Sequence, residues 1–145
     1  MSQLQRRAVL PRDGTARAVA VAALVGFALI HLLDLPGTIG DTPYVGWMYI
    51  GLIVTALVLA GALVMSSHTR IWLAAVGLVT STMVGYVLTR TTGLPQSTDD
   101  IGNWGQPLGI AMLFLGGSFL ALCGGVLISR RTAGRAPAAN MRKHR

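Results

Sequence analysis

The chain of 145 residues has one cysteine, few aromatics and little charge: Cys123 stands alone, aromatic residues make up 6% and charged residues 12%. A single cysteine excludes a disulfide scaffold and a paired-thiol redox centre. Charge at about half the share of ordinary soluble domains is too little to wet a globular surface. Disorder is excluded from the opposite side, because 52% of the residues are apolar and mean hydropathy is +0.59. No internal repeat, glycine-rich phosphate loop, HExxH or Ser-x-x-Lys pattern is present. One small integral membrane domain remains.

The apolar runs supply its architecture. Crossing a bilayer takes roughly 20 apolar residues at 1.5 Å each. Four spans are expected, at about 18–35, 44–65, 71–89 and 108–128. The first is the weakest, reaching full length only if Arg17 snorkels and Leu35 is included. Short links make neighbouring helices antiparallel, so the expected fold is an all-α, up-down, four-helix membrane bundle. The four-span domain covers 18–128, with an outer loop at 90–107. Tails at 1–17 and 129–145 are expected to be basic and unstructured.

Charge orients the bundle. Eleven of the twelve basic residues fall in the tails and the second link, together with Asp13; Arg90 shares the other side with Asp34, Asp41, Asp99 and Asp100. The positive-inside rule then makes both termini cytoplasmic and the location the plasma membrane. The net charge of +7 reflects this topology, with anionic lipid headgroups as partners of the tails and no nucleic acid required. A cleaved signal peptide is disfavoured: the first run is long for one, and Thr38-Ile39-Gly40 is a poor exit site.

Small residues four apart occur as Gly77-Ser81-Gly85, Gly117-Ala121-Gly125 and Gly116-Leu120-Gly124, with Ala56 and Ala60 in the second span. Packing within the bundle is the expected use of these rows, ahead of a homodimer face. Tyr44, Trp47, Trp72 and Trp104 sit where an interfacial aromatic belt belongs. Cys123, far from any base, reads as a packing residue.

The unusual residues gather at the outer face. His31 and Asp34 share one face of the first span's last turn, and Tyr86 and Arg90 one face of the third's. Asp34 and Arg90 are opposite in sign at similar depth, so they are expected to pair, with His31 joining them. The outer loop adds Asp99, Asp100, Asn103 and Trp104 as candidates for binding a ligand or partner. Asp99 and Asp100 alternatively cap a short helix through Asn103. His31 and Asp34 are the weak candidates for a metal, without HxxxH, CxxC or a methionine repeat to support them. No cofactor is expected.

The run Gly85-Tyr86, Arg90-Thr91, Gly93-Leu94-Pro95, Asp100, Trp104 and Pro107-Leu108-Gly109 resembles small four-helix membrane proteins of actinobacterial type, a group without an assigned function. The likeness covers about a sixth of the chain, and more loosely His31-Leu32-Leu33-Asp34. That group often has an acid before the proline, where this chain has Gln106. The resemblance implies a family and no activity.

The expected function is therefore non-catalytic: an accessory or interaction subunit whose polar outer face engages a ligand or a membrane protein partner. The alternative is a small transporter or metal-handling protein using His31, Asp34 and Arg90. A membrane enzyme using Asp34, Asp99 or Asp100 as acid or base has the least support.

Overall fold

In lipid a backbone must satisfy its own hydrogen bonds, which long uncharged runs do by forming helices. The computed structural model describes residues 3–95 and 98–135, with side-chain surroundings from 14 to 132. It has four helices, α1 Gln3–Asp41, α2 Pro43–Met65, α3 Thr69–Thr91 and α4 Pro107–Arg135, and no strand among the described residues. All four are long and apolar enough to cross a membrane. The chain is a small multi-pass, all-α membrane protein associated with a lipid bilayer. Each helix packs on its neighbours in a ring, most extensively α1 on α2 and least α2 on α3.

The helix ends depart from the sequence reading. Residues 3–17 and 129–135 continue α1 and α4 as helix, where unstructured tails were expected. A formed helix extends cheaply through Arg- and Ala-containing sequence, because only nucleation is costly. Arg142, Lys143 and Arg145 lie outside the described residues. At its other end α1 runs through Pro36 and Gly37 to Asp41 instead of stopping near Leu35. A single residue, Thr42, links it to α2, its N–H donating to the Thr38 carbonyl at 2.8 Å. Pro43 opens α2, where a missing N–H costs nothing. This hairpin brings α1 against Gly46, where a Cβ would stand 2.9 Å from Ile39 Cα. Packing on α2 thus holds a stretch of α1 that local propensity would end.

The core is concentrated toward the end that carries the termini. Leu24, Phe27, Leu63, Trp72, Phe119 and Cys123 are fully or almost fully buried there. Trp72 is 0% exposed, so it is a core residue and not the interface anchor expected for it. Its indole N–H donates to Ser67 Oγ at 3.3 Å, and Arg130 lies over its ring while donating to the Ser67 carbonyl and hydroxyl at 2.7 and 2.6 Å. These contacts clamp α4 to the short α2–α3 link. Phe114 at 78% and Val58 at 63% exposure show the surface left for lipid tails.

The small-residue rows divide. Ala56 and Ala60 are buried, and Gly116 receives Met83, whose Sδ would be 2.9 Å from an added Cβ. Gly77, Gly85, Gly117 and Gly125 have open space at that position. The internal packing expected for those two rows is therefore not made.

Candidate functional site

At the end away from the termini the core gives way to a cavity of about 1000 Å3, lined by all four helices and the α3–α4 loop. Its lower part reaches Leu52 and Thr55 on α2 and Leu78 and Ser81 on α3; its upper part is polar. Leu78 lies thirteen residues before the end of α3, so the cavity descends about 20 Å along that helix.

The loop is tied down by Arg90, which is only 4% exposed. Its guanidinium pairs with the Asp100 carboxylate, donates to the Asp100 carbonyl at 3.3 Å and donates to the Gln106 amide oxygen. The Arg90 carbonyl accepts the Gly102 N–H at 2.9 Å, and the guanidinium lies 4.9 Å over the Tyr86 ring. Tyr86 meets Trp104 edge-on at 6.1 Å. Gly93 and Gly102 have φ of +73° and +80°, turns that only glycine makes without strain. Tyr44 donates to the Pro95 carbonyl at 2.6 Å, fastening the loop to α2. Residues 99–105 form successive turns rather than the short helix considered from sequence.

The expected Asp34–Arg90 pair is not formed. Arg90 has Asp100 and Gln106, while Asp34 accepts the Tyr49 hydroxyl at 3.3 Å through Oδ2. Loop closure brings Asp100 to Arg90, and α1 presents Asp34 to α2 instead. Asp34 also lies deeper than expected. With α1 ending at Asp41, it is seven residues inside the helix, and His31 is ten. His31 is 5% exposed; its ring packs against Phe27 at 4.8 Å and Tyr49 at 4.9 Å. Its Nδ1 lies 2.8 Å from the Phe27 carbonyl, an acceptor only, so Nδ1 carries a proton and neutral His31 leaves Nε2 as an acceptor.

His31, Asp34, Tyr86, Arg90, Asp99 and Asp100 all line the cavity. Asn103 and Trp104 are exposed on the loop surface. Among the described residues no group of three His, Cys, Asp or Glu side chains converges as a metal site. Two participants escaped the sequence reading. Tyr49 was hidden in an apolar run, and Gln106 drew attention only as a departure from a motif. The signal for Gln106 was its place beside Pro107, which fixes the entry into α4 opposite Arg90.

No protein-family model, curated protein or solved structure matches the chain.

Proposed function

We propose that this protein performs no chemistry of its own and acts as an accessory or interaction subunit that holds a small ligand at its loop end. The observation that carries this reading is the cavity, at the upper end of the volumes of small-molecule sites, with a polar rim and an apolar interior. The loop that roofs it is pinned by a buried cation, which pre-organises the rim. The asymmetry of charge supports tails in the cytoplasm beside anionic headgroups, and a cavity facing outward from the plasma membrane. Membership of the actinobacterial-type group belongs to the same proposal. Arg90, Asp100, Tyr86 and Trp104 give its loop motif a physical purpose, and the Gln106 oxygen supplies the acceptor that an acid would bring.

The test is extraction from native membranes into polymer discs without detergent, followed by native mass spectrometry. A co-purifying small molecule, absent after the cavity is filled by Leu52→Trp, supports the reading. Equal recovery in both forms overturns it. A transporter is the second reading, favoured by the depth of Asp34, since ionisable groups inside a span commonly mark transport paths. The closed core below Phe27 supports binding over transit. Flux across proteoliposomes separates the two.

A further inference from the structure

The α1 wall of the cavity differs from the wall opposite. Arg90 lines the cavity from α3, but its charge is matched by Asp100 and its Nε is buried without a partner. The Tyr86 hydroxyl is likewise buried and unpartnered. These donors are enclosed by the loop and by α4, where the Tyr86 ring stands over Gly109. The α1 wall carries acceptors instead. Among the described residues Asp34 accepts one side-chain hydrogen bond, from the Tyr49 hydroxyl, on one oxygen. His31, 95% buried and lining the cavity, has its Nδ1 proton held by Phe27; no described residue bonds its Nε2. Asp41 and Asp99 add negative charge at the rim.

An anionic headgroup would meet three carboxylates there without a matched cation. Among the described residues no three His, Cys, Asp or Glu side chains converge to hold a divalent metal. A primary ammonium fits both demands, having one positive charge and three donors for Asp34, His31 Nε2 and the Tyr49 oxygen. Below that wall the lining turns apolar through Ile30, Leu52, Leu78 and Met112. The hydroxyls found there are occupied within their own helices: Thr55 donates to the Gly51 carbonyl at 2.7 Å, and Ser81 and Thr82 both donate to Leu78 at 2.9 Å. The lower cavity thus suits a hydrocarbon tail. It lies between the outer halves of α2 and α3, the neighbours that pack least, which opens a route from the bilayer.

We infer that the cavity takes a primary-amine amphiphile, its ammonium on Asp34 and His31 and its alkyl chain between α2 and α3. The inference rests on the proposed ligand-binding function and adds the chemical class of the ligand.

The experiment uses the full chain in zwitterionic-lipid nanodiscs, with Cys123→Ala and a reporter at Ser81→Cys. Maleimide labelling is timed against decylammonium, decyl sulfate and decanol, three head groups on one chain length. Val58→Cys, on the lipid-facing surface, corrects for partition into the bilayer. Decylammonium is expected to slow labelling at Ser81→Cys at about tenfold lower concentration than decanol, with decyl sulfate weaker than both. Asp34→Asn should remove that preference and leave protection by decanol intact. Equal protection by all three probes overturns the ammonium assignment and leaves the ligand-binding function standing. Absence of protection by any probe overturns both. The comparison of probes on the Ser81→Cys protein decides the matter even if Asp34→Asn fails to fold. A cationic two-chain lipid bearing a primary amine, placed in the disc, identifies the source. Protection by it marks a bilayer lipid, while protection by decylammonium alone marks a free amphiphile; either supports the inference.

Discussion

A guanidinium that keeps 4% of its surface needs its charge matched, and of the four aspartates toward the loop end of the bundle Arg90 uses Asp100. Asp100 keeps 40% of its side-chain exposure, so the pair is half-wet and its loss costs less than that of a sealed pair. Asp100→Asn should lower stability by about 2–3 kcal/mol, between the values for a charged hydrogen bond and a fully buried ion pair. Reversible unfolding in mixed micelles measures it. Arg90→Gln should cost a similar amount, and the double variant should recover part of the loss because no charge is stranded. Asp34→Asn combined with Arg90→Gln should instead be additive. Coupling there would restore the pairing that the sequence suggested and this geometry replaces. Gln106→Leu should destabilise by removing the acceptor of an Arg90 N–H, whereas Gln106→Glu should be tolerated. These contacts show where sequence reading stops. Arg90 was conspicuous as the lone cation on its side, but its partner depended on how an eighteen-residue link folds back, which no spacing rule encodes. Tyr49 was illegible because an aromatic in an apolar run looks like any lipid-facing or core residue.

Helices were legible as spans and illegible at their ends. Hydropathy located all four, because twenty apolar residues in lipid have few alternatives. It stopped α1 near Leu35 because the uncharged run ends at Asp34, while the structure continues the helix through Pro36 and Gly37 on the strength of packing against α2. Gly46 is the position where that packing is closest. Gly46→Ala should cost about 1–3 kcal/mol by overpacking against Ile39, and Ile39→Ala should give little relief because the Ile39 Cα is itself in the way. Thermal melts of the two variants and their combination test it. The open rows on α3 and α4 lead to the reverse expectation. Gly117→Ala and Gly125→Ala meet open space and replace the poorer helix former, so monomer stability should hold or rise by up to about 1 kcal/mol each. A fall in stability that depends on protein concentration would show that a second copy occupies the row.

For the whole molecule, the distribution of charge bears on which end faces the cytoplasm. Successive helices alternate in direction, so the start of α1, the short link at 66–68 and the end of α4 share one end. Arg17, Arg70, Arg130 and Arg131 gather there, with Arg6, Arg7 and Arg12 before them and Arg135, Arg142, Lys143 and Arg145 beyond. The opposite end has four aspartates and Arg90, and Arg90 is consumed internally by Asp100. That pairing removes the single exception to the asymmetry, since a cation bound by its own loop presents no free positive charge there. With Cys123 changed to Ala, a cysteine at Thr98 should react with an impermeant maleimide in intact cells, and one at Ala139 should react only after permeabilisation. Labelling at Ala139 in sealed cells would invert the molecule and turn the cavity toward the cytoplasm. Adding lysines at Thr98 and Asp99 should erode the asymmetry and yield a mixed population labelled from both sides. If the charges set topology, that mixture should revert when Arg130 and Arg131 are kept and the added lysines are changed to glutamine.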